Sequence, residues 1–170
     1  MTRIPHIDDS IIDQYPGLQG NENLLRLVFR SPRIGEAFAH LDAALLTGFA
    51  LSPKLRELLI LHTAWHMQSE YAWVQHLKIA RSIGVTDAQI ASIQQSQLES
   101  FAFSEKEKEL LHFLSCIAAS ETLSSQDFEA VRRHFNDREL VEIIAVRGLY
   151  YTIAMLALVL DLEVDRLSSQ

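Results

Sequence analysis

Residues 51–90 read LSPKLRELLILHTAWHMQSEYAWVQHLKIARSIGVTDAQI. Ser52 stands before Pro53, the pairing of an N-cap with a proline at the first helical position. Apolar residues then run through Met67, so one helix is expected to there. A second helix follows from Ser69 to Ser82, and Gly84 supplies its stop. Thr86 with Gln89 forms a capping box for a short helix over 87–95. The connection near Gln68 is short, which makes the first two helices antiparallel neighbours.

The same punctuation continues outward. Ser31-Pro32 opens a helix to Leu46, ended by Gly48. Ser104 with Glu107 opens another to about Ser120, Ser124 caps one to about His134, and Asn136 with Glu139 opens a long last helix to about Leu162. No segment alternates with period two, so no strand is expected. SPKLRELL (52–59) faintly echoes SEKEKELL (104–111), which convergent capping would also produce. The first twenty residues, with Pro5, Pro16, Gly17 and Gly20, read as an extended arm with a turn. Residues 21–170 read as one helical domain.

Composition agrees. The chain has 170 residues, 48% of them apolar, with only six glycines and four prolines. That suits a single helical domain with a sizeable core. The net charge is -7, and no basic run exceeds Arg132-Arg133, so nucleic acid is not an expected partner. The N-terminus lacks the apolar run of a signal peptide. The apolar stretch 143–160, IIAVRGLYYTIAMLALVL, is nearly long enough to span a bilayer. Arg147 interrupts it and DLEVD follows, so it reads as a core or interface helix. The single cysteine, Cys116, cannot form an intrachain disulfide and fits a reducing compartment. Its run LLHFLSCIAA predicts a small buried thiol.

Chemistry concentrates on the second helix. Ser69, Ala72, Trp73, His76 and Ala80 share a face by the three-and-four rule. Small residues leave room there, and His76 places a ring that exchanges protons near neutrality. A core histidine satisfied by a carboxylate fits the same spacing. Glu57, among leucines on the preceding helix, is the natural partner, since a buried carboxylate needs one. Its plain alternative is a surface glutamate paired with Arg56 or Lys54. His62 and His66 have i,i+4 metal-ligand spacing, but a bare HxxxH is a weak pattern, and no metal is expected. Tyr150 and Tyr151 are candidates for hydroxyl donors or interface packing. Phosphate loops, GxSxG elbows and CxxC pairs are absent.

The 51–90 stretch resembles the carboxymuconolactone decarboxylase family, which includes the alkylhydroperoxidase D-like proteins. The family's glutamate in an apolar helix matches Glu57. Its C-E-Y-E-W-x-x-H-like segment matches Tyr71, Trp73 and His76. Gly84 and Thr86–Ile90 match the ending, and the apolar last helix is also similar. The resemblance implies an all-α, alkylhydroperoxidase D-like bundle of seven to eight helices that assembles as homo-oligomers, often trimers or hexamers. The family's redox branch carries its CxxC where this chain has Ser69 and Ala72. A hydroxyl and a methyl cannot exchange disulfides, so peroxidase or peroxiredoxin-type chemistry, although a family-level label, is not expected through this motif. The non-redox branch, which resembles the decarboxylase proper, uses no cofactor. The implied function is therefore decarboxylation or proton transfer on a small organic acid or lactone, in the cytoplasm, without a cofactor. His76 and Glu57 would be the catalytic residues, and Ser69, Tyr71, Ala72 and Trp73 would bind substrate. Ala72 departs from a second glutamate common in the decarboxylase-like pattern. The alternative is a member that only binds a small ligand or serves as a scaffold.

Overall fold

The computed structural model describes residues 2–5, 7, 14, 22–119 and 123–165. Among these are eight helices: α1 (Glu22–Val28), α2 (Pro32–Thr47), α3 (Pro53–His66), α4 (Glu70–Ser82), α5 (Asp87–Gln94), α6 (Glu105–Ala119), α7 (Ser125–Arg132) and α8 (Asp137–Leu160). No strand occurs among the described residues.

Five of the expected starts are made by the expected side chains, while Ser31 opens α2 without a side-chain cap bond. Ser52 accepts from the Leu55 amide, and Ser124 accepts from that of Asp127. Full capping boxes form at Thr86/Gln89 and Asn136/Glu139. At Ser104/Glu107 the two amides are likewise bonded by each other's side chains. Each local bond satisfies an amide that the helix itself leaves without a partner.

Helix α3 is the axis of the molecule. It packs on α4, α5, α6 and α8. Its Leu58, Leu59, Ile60, Leu61 and Ala64 are all buried, as a helix apolar on every side requires. The turn into α4 passes through Gln68 in the left-handed region (φ 53°). The Ser69 amide donates back to the Ala64 carbonyl at 2.9 Å, which sets α3 and α4 antiparallel. Gly84 (φ 92°) ends α4 in a conformation that a side chain would strain.

Helix α8 is long and apolar enough to cross a membrane by length and composition. In this fold one side of it is core, with Ile143, Val146, Leu149, Ile153 and Ala154 buried. The other side leaves Val141, Ile144, Tyr151, Met155, Leu158 and Val159 exposed. That half-covered state is what an interface helix shows, and it fits the core-or-interface reading.

Two expectations need correction. Helix α1 was not marked in the sequence, because its cap comes from far along the chain. The Asp165 carboxylate accepts from the Asn23 amide at 2.8 Å. Cys116 is half-buried rather than buried, because its side of α6 faces the end of α7, not the core. Most of the expected arm lies outside the described residues. Of the part described, the Arg3 guanidinium pairs with Asp161 at 2.7 Å, and Ile4 and Ile7 pack on the core.

Candidate functional site

Glu57 lies on α3 with only 2% of its surface exposed. Burial would leave its carboxylate strongly destabilised without partners. It has two. His76 Nδ1 on α4 sits 2.7 Å from Oε2, and Arg56 Nε lies 3.5 Å from Oε1. A carboxylate only accepts, so the proton of that short contact belongs on Nδ1 of His76. Nε2 is then the ring nitrogen left to exchange a proton. Tyr150, from α8, meets the His76 ring edge-on, with centroids 4.8 Å apart. Three helices therefore fix one imidazole.

His76 opens on a narrow cavity of about 40 Å³ walled by Leu25, Val28, Phe38, Leu149 and Ile153, among others. Tyr71, Ala72, Gln75 and Tyr150 also line it, and so does one acid, Asp42 of α2. Burial raises the Asp42 pKa above the ordinary carboxylate value and Glu57 adds to the rise, while His76 and Arg56 oppose it. Asp42 thus holds a proton more readily than an ordinary exposed carboxylate does. Sequence reasoning missed it, since AHLDAALL looks like any amphipathic turn and only the tertiary fold brings Asp42 to the cavity that His76 lines.

The other expected binding residues divide. Ala72 and Tyr71 line the His76 cavity. The Tyr71 hydroxyl, however, donates to Asp165 at 2.8 Å, and Gln75 Nε2 donates to the same oxygen at 3.0 Å. Burial, reinforced by Asp165, pushes the Tyr71 pKa well upward. Tyr71 therefore ties the chain's end to α4 and holds its proton firmly. Ser69 is the N-cap of α4 and accepts from the Ala72 amide. Trp73 stacks at a tilt on Trp65, with centroids 5.2 Å apart. Ser69 and Trp73 both line a separate cleft of about 390 Å³ with Trp65, Gln68 and Glu70. The shared face read from spacing therefore splits: Ala72 and His76 line the cavity, while Ser69 and Trp73 line the cleft.

His62 and His66 stack in parallel, with centroids 6.4 Å apart. His62 Nε2 contacts Ser115 Oγ at 3.2 Å, and Nδ1 is buried without a partner among the described residues. Burial, with the nearby charges of His66 and Arg147, lowers its pKa to about 4. Tyr151 stays exposed beneath the Arg147 guanidinium, 5.2 Å from its ring centroid. Of the two adjacent tyrosines, only Tyr150 reaches the cavity.

The whole fold is found in other proteins. A peroxidase-related protein from Ralstonia eutropha JMP134, described as an alkylhydroperoxidase AhpD core, superposes with a TM-score of 0.80 at 22% identity. The match covers 96% of this chain and 92% of that one. A peroxidase-related protein from Silicibacter sp. TM1040 gives a TM-score of 0.81 at 20% identity, over 96% and 92%. The debrominase Bmp8, as a cysteine-to-alanine variant in complex with 2,3,4-tribromopyrrole, gives 0.78 at 17% identity, over 97% and 92%. None of the curated proteins compared with it matches this chain in sequence. The model of the carboxymuconolactone decarboxylase family matches residues 32–116, half of the chain and the segment that carries Asp42, Glu57 and His76. With its all-helical, alkylhydroperoxidase D-like fold, the chain belongs to the carboxymuconolactone decarboxylase family.

Proposed function

We propose that the protein carries out cofactor-independent acid–base chemistry on a small organic acid or lactone, with His76 as the proton carrier. The observation that carries this reading is the 2.7 Å contact of His76 with a buried Glu57 at the wall of an apolar cavity. Glu57 holds Nδ1, so Nε2 acts as the base. Nε2 removes a proton beside a carbonyl or, once protonated, returns one to the carbon that carbon dioxide leaves. Asp42 lines the same cavity, and in its protonated form, which burial favours, it donates a hydrogen bond to a substrate oxygen. Arg56 balances the charge of Glu57.

The cavity of about 40 Å³ has room for about one water, far below the several hundred Å³ of ordinary ligand sites. Substrate entry therefore requires α1 and α2 to move outward. The same small volume favours the second reading, a scaffold member in which His76 and Glu57 only brace α3 against α4. We further propose that the exposed apolar side of α8 is covered by another copy of the chain, giving a homo-oligomer, and that the protein works in the cytoplasm.

An ultraviolet assay of 4-carboxymuconolactone, extended to related lactones and 3-oxo acids, tests the reading. Turnover is expected in the wild type. Glu57→Gln, which loses a charged hydrogen bond worth about 1.5–3 kcal/mol, should reduce it by about 10- to 150-fold. Equal turnover in wild type and His76→Ala would sink the acid–base assignment. Failure across the panel, with native-like stability, would favour the scaffold.

A further inference from the structure

We propose that His112, Cys116 and Asp127 form a binding site for a zinc-type divalent cation, apart from the His76 cavity. His112 and Cys116 stand one turn apart on α6, and Asp127 comes from the first turn of α7. Their donor atoms, Nε2, Sγ and a carboxylate oxygen, all lie within 4.8 Å of one another. Sγ is 3.5 Å from Nε2, and Nε2 is 3.7 Å from Oδ1.

These separations are close to the edges of a metal tetrahedron. With Zn–S near 2.3 Å, Zn–N near 2.0–2.1 Å and Zn–O near 2.0–2.2 Å, tetrahedral angles give S···N of about 3.6 Å and N···O of about 3.4 Å. Hydrogen bonding accounts for only one of these contacts: the thiol can donate to Nε2 at 3.5 Å, while Oδ1 at 3.7 Å is beyond hydrogen-bond reach of it. A cation at their common focus serves all three.

The surroundings fit. Asp127 Oδ2 accepts from the Ser124 hydroxyl at 2.5 Å. This orients the carboxylate as outer partners of metal ligands do and leaves Oδ1 facing the cluster. A cation binds the thiolate form of Cys116, so it must displace the thiol proton. Binding then converts the thiol to thiolate and releases one proton per site. Three protein ligands leave the fourth position to water.

The test uses the full chain stripped with a chelator. Zn²⁺ is titrated against a chromophoric competitor, and Co²⁺ absorption is recorded in parallel. The expected result is one equivalent bound at micromolar protein, with a thiolate-to-cobalt charge-transfer band. Cys116→Ser should abolish the band, and His112→Ala should weaken Zn²⁺ binding at least tenfold. All variants should keep the metal-free circular dichroism spectrum, since none of these side chains is part of the core. Stoichiometric binding that survives both substitutions would overturn the proposal. So would binding lost only in His66→Ala, which would assign the ion to the His62/His66 pair, or uptake seen only at millimolar Zn²⁺.

Discussion

His76 and His62 lie on consecutive antiparallel helices, and their ring partners are opposite in kind. His76 Nδ1 meets the Glu57 carboxylate at 2.7 Å. His62 Nε2 meets Ser115 Oγ at 3.2 Å, and that hydroxyl donates its one proton to the Leu111 carbonyl at 2.9 Å. Ser115 Oγ must therefore accept from His62, so the proton sits on Nε2 there and on Nδ1 in His76. Each ring shows its bare nitrogen to different surroundings. In His76 it is the nitrogen turned away from a carboxylate, beside a cavity that contains an acid. In His62 it is buried without a partner among the described residues, near the cation of Arg147. Burial by itself does not make a histidine functional: a carboxylate fixes the tautomer of His76 at a cavity wall, whereas burial above all keeps His62 neutral.

The largest effect should come from the proton carrier. His76→Ala should lower turnover by about 10²–10⁴-fold, measured on protein that circular dichroism shows to be folded. Glu57→Ala strikes the same pair from the other side. It leaves the Arg56 guanidinium without its buried counter-charge and the His76 N–H without its acceptor, and unfolding by urea should show a loss of about 3–5 kcal/mol. If that loss falls within error of zero, Glu57 is not the buried anchor of these partners and the contrast with His62 collapses.

His62 gives the pH arm of the comparison. Its folded-state pKa is depressed from 6.5 to about 4, so the unfolded chain binds the proton first. The stability it contributes is full above pH 6.5 and is lost as pH falls toward about 4, roughly 3 kcal/mol over that window. Asp42 and Asp165 have raised pKa values, and they act with the opposite sign. They favour the fold while protonated, and that contribution fades as pH rises past the ordinary carboxylate range. The difference between wild type and His62→Gln isolates the histidine. Parallel pH profiles for the two proteins would refute its depressed pKa. The smallest effect belongs to a local bond shared by neither histidine: Thr86→Ala should cost about 1 kcal/mol, seen as a shift in the denaturation midpoint.

These regions also show what a sequence makes readable. Seven helices were legible because their signals are local, as where Thr86 and Gln89, or Asn136 and Glu139, bond each other within one turn. Helix α1 was not, because its capping carboxylate, Asp165, is 142 residues away from Asn23. The Glu57–His76 contact could be anticipated from two antiparallel helices with a short turn. Asp42 could not, since only the tertiary fold brings it to the cavity. Trp73 misled for a related reason: spacing places it on the face of His76, while the turn before α4 gives it to Trp65. The HxxxC step of His112 and Cys116 was visible in LLHFLSC but had no reading until α7 brought Asp127 beside it.

The most direct measurement is nitrogen-15 NMR of the two imidazoles in one sample at neutral pH, assigned with His62→Gln and His76→Gln. The expected spectrum shows opposite tautomers, with the proton on Nδ1 in His76 and on Nε2 in His62, and only the His76 signals move in Glu57→Gln. The same tautomer in both rings, or His76 signals indifferent to Glu57→Gln, would contradict the account.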